Sequence, residues 1–88
     1  LEVLGLLSGG ILGAAILLTV DYFLTEDSLV ENVEEEYPDA FKLLIKEKKK
    51  NAVKVGIFDE DDEHIDDIEI TSSKGVSKSL HKGQTIYV

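Results

Sequence analysis

The strongest constraint on how this chain folds is an uncharged run near its beginning. Residues 3–20, VLGLLSGGILGAAILLTV, contain no charged side chain, and Glu2 and Asp21 bound the run. As a helix rising about 1.5 Å per residue it would extend roughly 27 Å, close to the thickness of the hydrocarbon core of a bilayer. We therefore predict an apolar N-terminal helix over residues 1–24, either spanning a membrane or buried in the core of an assembly.

Small residues recur within this run at helical spacing. Gly5, Gly9 and Gly13 lie four positions apart, with Gly10 and Ala14 beside them. On a helix they would share one face, which would let a second backbone approach closely. A glycine costs about 1 kcal/mol relative to alanine in a water-exposed helix, and close packing would offset that cost. We predict that these five residues form a helix-packing interface between copies of the chain; the alternative is that small residues recur there by chance.

Residues 25–40 are predicted to form an acidic helical connector. Ser28 and Glu31 match the S-x-x-E capping box, with Asp27 or Ser28 as the N-cap. Pro38 disfavours helix at Tyr37 and should end the segment there. The segment is either a separate short helix or a bent continuation of the apolar one.

Residues 41–88 are predicted to form a small polar antiparallel domain of three or four strands. The segment VKVGIF alternates polar and apolar residues, and IDDIEIT repeats the pattern before TIYV ends the chain. The segment FKLLIKEKKK, residues 41–50, fits either a helix or a strand, and the turn-like KKKN after it favours a strand. The predicted fold class is therefore α+β: an apolar N-terminal helix, an acidic connector and a small antiparallel sheet.

Composition argues against several classes of function. The chain has no cysteine, so disulfides and thiolate metal sites are excluded. It has no arginine and carries a net charge of −9, which argues against binding to nucleic acid. We expect no cofactor and no small-molecule substrate, and possible contact with membrane lipid.

Two short charged segments suggest electrostatic contacts between subunits. Residues in the KEKKK and DEDDE segments are the candidates: Lys48, Lys49, Lys50, Asp59, Asp61 and Asp62. Basic and acidic patches on one small domain suit head-to-tail association. The alternatives are a solvated hairpin tip and a lysine edge that prevents sheet pairing. A calcium loop starting at Asp59 would need glycine at His64 and glutamate at Ile70, so no metal site is predicted.

The sequence contains no recognisable catalytic motif. It has no G-x-S-x-G elbow, phosphate-binding loop or zinc-ligand spacing, and neither His64 nor His81 has an evident orienting partner. We therefore predict that the protein is not an enzyme.

These features together predict a structural self-assembling subunit, with the helices packed inside and the β domain outside, as in a filament or pilus. The layout is similar to that of type IV pilins, which also join an apolar helix to an antiparallel sheet. This chain has Gly5 where pilins have a glutamate, so no residue roles are transferred. The alternative is a membrane-anchored accessory protein whose β domain binds another protein. Either reading predicts a membrane-associated or cell-surface location.

Overall fold

The described part of the chain is a mixed five-stranded sheet with one helix packed on it. A computed structural model describes residues 16–88. The elements in chain order are β1 (Ile16–Val20), α1 (Glu26–Glu36), β2 (Lys42–Lys48), β3 (Ala52–Phe58), β4 (His64–Ser72) and β5 (Thr85–Tyr87). The strand order across the sheet is β1-β4-β3-β2-β5. β1 runs parallel to β4, and the other neighbouring strands pair antiparallel.

The predicted fold class is wrong about the end of the apolar run. Ile16–Val20 is a strand, paired parallel with β4, rather than the last turns of an N-terminal helix. Three of its five residues, Ile16, Thr19 and Val20, are β-branched, and β-branched residues favour the pleated backbone. The sheet therefore has five strands and is mixed, instead of the predicted three or four antiparallel strands, because β1 adds a strand parallel to β4.

A transmembrane helix, the other part of that prediction, is also not found. Within residues 16–88 no helix is both long and apolar enough to cross a bilayer. The predicted glycine interface of Gly5, Gly9, Gly10, Gly13 and Ala14 lies outside the described residues.

The helix α1 is short, acidic and held by its own cap. Thr25 is the N-cap and exchanges hydrogen bonds with Ser28, so the capping box lies three residues earlier than the predicted Ser28–Glu31 box. Leu29 and Val33 are buried, and one turn of spacing puts them on the same side of the helix. The helix therefore contributes a narrow apolar stripe to the core, while its acidic residues face water.

The three central strands supply most of the core. Their inward residues alternate with outward polar ones, as expected for a sheet covered on one face. The buried members are Leu43, Ile45, Val53, Val55, Ile57, Ile68 and Ile70. Residues 41–50, which could be helix or strand from sequence, contain β2. A register shift between Ile45 and Glu47 bends β2 against β3.

The segment between β4 and β5 closes the end of the core without forming a helix. Val76 forms an isolated parallel β-bridge with Leu24, and Leu80 is fully buried in the same core cluster. Gly75 has φ of 101°, a conformation that favours glycine, and its carbonyl accepts a hydrogen bond from the Leu24 amide at 3.0 Å. The chain entering α1 is thereby joined to the chain leaving β4.

Candidate assembly surface

The outer edge of β1 has backbone groups with no partner among residues 16–88. The carbonyl of Val20 accepts a hydrogen bond from the amide of Ser73 at 3.1 Å, so the backbone groups of Val20 point toward β4. Backbone groups of successive strand residues point to opposite sides of the strand, so those of Leu17 and Thr19 point away from β4, beyond the edge of the sheet. These two residues form a free hydrogen-bonding edge in the described part of the chain.

The apolar layer under the helix is incomplete at this edge. Ile16, Leu18 and Val20 lie beside the helix-facing residues of β4 and pack against the core, but they are only partly buried. On the other face of β1, the side chain of Leu17 is 71% exposed. The edge strand thus carries apolar surface on both faces of the sheet.

Features that usually protect an edge strand are absent from β1. Natural edges are blocked by charged side chains, prolines, bulges or very short strands. β1 has five residues, ILLTV, none of them charged or proline, and its pairing with β4 has no register shift. The opposite edge differs: β5 has only three residues, and its helix-facing Ile86 is already buried. The β1 edge is therefore the more open of the two to pairing with another strand.

The predicted electrostatic residues lie at opposite ends of the sheet. We call the end where β4 begins the acidic end; it contains the C-terminus of α1 and the β3–β4 turn, with Asp59, Asp61 and Asp62. We call the other end the lysine end; it contains the β2–β3 turn, with Lys48, Lys49 and Lys50. The structure separates the two groups along the strand direction, and contact between them in different subunits stays a prediction.

Several of these charged residues have partners within the chain. The ammonium of Lys48 donates to the carbonyl of Ser77 at 2.9 Å, and Lys49 lies 3.9 Å from a carboxylate oxygen of Glu69. A carboxylate oxygen of Asp59 accepts from the amide of Asp61 at 2.9 Å, which shapes the β3–β4 turn. The pair with Glu69 offsets the charge of Lys49, whereas Lys48 and Asp59 bond to uncharged backbone groups and keep their charges.

Asp62 pairs with Lys42 across the same end of the sheet. The hydrogen bond to Asp62 raises the pKa of Lys42, which keeps the ammonium charged. Asp62 itself has φ of 66° in the turn. This pair is exposed and stabilises the turn only slightly.

The face of the sheet away from the helix carries a polar network. His64 Nε2 lies 2.8 Å from Asp67 Oδ1, and Lys46 Nζ lies 3.0 Å from the same oxygen. Gly56 makes room for this network, since a Cβ there would lie 2.8 Å from Cε of Lys46. Partial burial raises the pKa of Asp67, but the hydrogen bonds from His64 and Lys46 outweigh it and hold that pKa below its usual range.

A second polar contact joins α1 to the sheet. The hydroxyl of Tyr37, just after the helix, donates to a carboxylate oxygen of Asp66 at 2.6 Å. Desolvation and this hydrogen bond raise the pKa of Tyr37 well above its usual value. The contact fixes the end of the helix against the start of β4.

Nothing in the described residues adds a catalytic arrangement to these networks. His64 lies beside the carboxylate of Asp67, an orienting partner that the sequence pattern did not reveal. The buried Ser72 hydroxyl donates to the carbonyl of Tyr22 and not to a histidine. Within residues 16–88 no three His, Asp or Glu side chains are grouped as metal ligands. The surface depressions there are open and lined largely by acidic residues. The absence of enzymatic activity stays a prediction.

Sequence reasoning missed the β1 edge because apolar periodicity does not separate a buried strand from a helix. The available signal was weak: Ile16, Thr19 and Val20 are β-branched, and glycines at positions 9, 10 and 13 disfavour a continuous helix through the run. Pairing with β4, which is distant in sequence, decides the outcome.

Comparison of the chain with protein-family models, with curated proteins and with solved structures found no match. Function is therefore inferred from the geometry of the sheet.

Proposed function

We propose that the protein is a structural subunit that associates with copies of itself, and that the outer edge of β1 is the contact. The observation that supports this most directly is an uncharged, unblocked edge strand whose outward backbone groups, on Leu17 and Thr19, have no partner within residues 16–88. An added strand would satisfy these groups and cover apolar surface at the same time.

The hydrophobic effect gives this association its driving force. Leu17 is largely exposed on one face, and the partly buried residues of β1 are exposed at the edge on the other. Burial of apolar area contributes about 25 cal/mol per Å², so covering both rows favours association even though backbone hydrogen bonds only replace those to water.

The test is the association state of the 88-residue chain, measured by sedimentation velocity from dilute to concentrated solution. The wild-type chain should form oligomers, and Leu17→Lys should shift it toward monomer, because a lysine opposes strand pairing at an edge. Leu17 is exposed, so this substitution should leave the fold intact, which circular dichroism checks.

Tyr87→Lys is the matched control. Tyr87 lies on the opposite edge strand and is 66% exposed, so the change in charge and apolar surface is similar. Association should survive this substitution. A wild-type chain that is monomeric at every concentration would contradict the proposal, as would dissociation by Tyr87→Lys alone.

A third variant separates the β1 edge from the predicted glycine interface. Gly9→Leu combined with Gly13→Leu would obstruct close helix packing and changes no described residue. On the present proposal this double variant should still associate. If it dissociates while Leu17→Lys remains oligomeric, the contact lies in the preceding segment and the proposed role of β1 is wrong.

A further inference from the structure

We infer that the partner of the β1 edge is the β1 strand of a second copy, paired antiparallel about a two-fold axis through Leu18. This inference rests on the proposed function and specifies its geometry. The resulting particle is a closed dimer with a continuous ten-stranded sheet, rather than an open chain of copies joined β1 to β5.

The apolar rows of two β1 strands complement each other. A two-fold axis perpendicular to the sheet keeps both helices on the same face and sets Leu18 opposite Leu18 of the second copy. Ile16 then lies opposite Val20, so two incompletely covered apolar rows meet. The alternative partner, β5, offers no such row, because Ile86 is already buried beneath its own chain.

The backbone groups also match in this register. Leu17 faces Thr19 of the second copy, and both direct their amide and carbonyl groups outward from their own sheets. The two residues can exchange both hydrogen bonds, and the axis makes the exchange occur twice. All five residues of β1 are paired when the axis passes through its middle residue.

The distribution of charge favours the antiparallel arrangement over the open chain. At the acidic end, Lys42 lies among a dense group of carboxylates. These carboxylates belong to Glu34, Glu35, Glu36, Asp39, Asp59, Glu60, Asp61, Asp62 and Glu63. At the lysine end, lysines and carboxylates balance; the charged residues there include five of each: Lys48, Lys49, Lys50, Lys54, Lys74, Asp21, Glu26, Asp27, Glu47 and Glu69.

The two arrangements place these ends differently. Joining β1 to β5 keeps successive copies in the same orientation, so their acidic ends would lie side by side and repel. The two-fold axis instead sets the acidic end of one copy beside the lysine end of the other. Like-charge juxtaposition disfavours the open chain, most strongly at low ionic strength.

Cysteine cross-linking tests the arrangement directly, because the chain has no cysteine of its own. At the axis the two Leu18 residues form a non-hydrogen-bonded antiparallel pair, with a Cα–Cα distance of about 4.5 Å, within the range that a disulfide spans. Mild oxidation of the 88-residue Leu18→Cys variant should give covalent dimers.

The control is a mixture of Leu17→Cys and Tyr87→Cys chains, which would cross-link if β1 met β5. Cross-linking of this mixture above the level of Leu18→Cys alone would overturn the two-fold arrangement. An oligomer by sedimentation in which Leu18→Cys does not cross-link would also overturn it, while leaving self-association through β1 in place. A chain that sediments as a monomer would overturn the proposed function as well.

Discussion

Replacing Leu24 by alanine should destabilise the fold severely, although Leu24 lies only four residues after an edge strand. Its side chain is 0% exposed and belongs to the main core cluster. Its carbonyl accepts a hydrogen bond from Ser77 at 2.8 Å, which holds the residue between the sheet and the segment after β4. The surroundings are therefore constrained on both sides and cannot easily close over a cavity.

The magnitude follows from burial. Truncating a fully buried leucine to alanine costs about 2–5 kcal/mol. A domain of this size has a free energy of unfolding of about 5 kcal/mol, so the variant should be marginal or unfolded. Leu17→Ala removes the same atoms from a side chain that is 71% exposed, and its cost for the monomer should stay within about 0.5 kcal/mol.

Urea denaturation followed by circular dichroism measures both variants. With a slope of about 1 kcal/mol/M, Leu24→Ala should lower the midpoint by about 2 M or more. Each titration is run at two protein concentrations, since association adds a concentration-dependent stability to which Leu17 contributes. Equal losses of unfolding free energy for Leu24→Ala and Leu17→Ala at low concentration would refute the reasoning. The predicted continuous apolar helix, unlike the sheet, gives no reason for the two leucines to differ.

Three further perturbations follow from the described contacts. Asp67→Asn should cost about 1 kcal/mol at neutral pH. Because the folded-state pKa of Asp67 is lowered, this difference should disappear in denaturation titrations as the pH falls through that pKa. In alkaline spectrophotometric titration Tyr37 should ionise above the usual pH range of a tyrosine, and Tyr37→Phe should remove that late step. Deleting residues 1–24 removes β1 and Leu24, so circular dichroism should show an unfolded chain, whereas deleting residues 1–15 should preserve the sheet.

Local patterns were sufficient for the hairpin core of this protein. The alternation in β3 and β4 and the turn residues between them are short-range features, and these strands lie where alternation places them. The acidic stretch before Pro38 is likewise helical, with its start displaced to the Thr25 cap. Capping depends on a few neighbouring residues, so an error there amounts to one turn of helix.

The polar network on the sheet face away from the helix depended on contacts that are distant in sequence. His64 and Asp67 are near neighbours, but Lys46 joins them only because the bend in β2 and the space at Gly56 bring it across β3. No local pattern encodes that approach.

The sequence by itself determined that an uncharged segment precedes an acidic helix and a set of alternating strands, because these properties depend on residue type and spacing. Only the tertiary structure decided that Ile16–Val20 is a strand and that it lies at an edge. An apolar run can satisfy its backbone hydrogen bonds within a helix or against neighbouring strands, and the parallel partner β4 is about fifty residues further along the chain. The choice between the two, and with it the surface available to another copy, is made by the sheet.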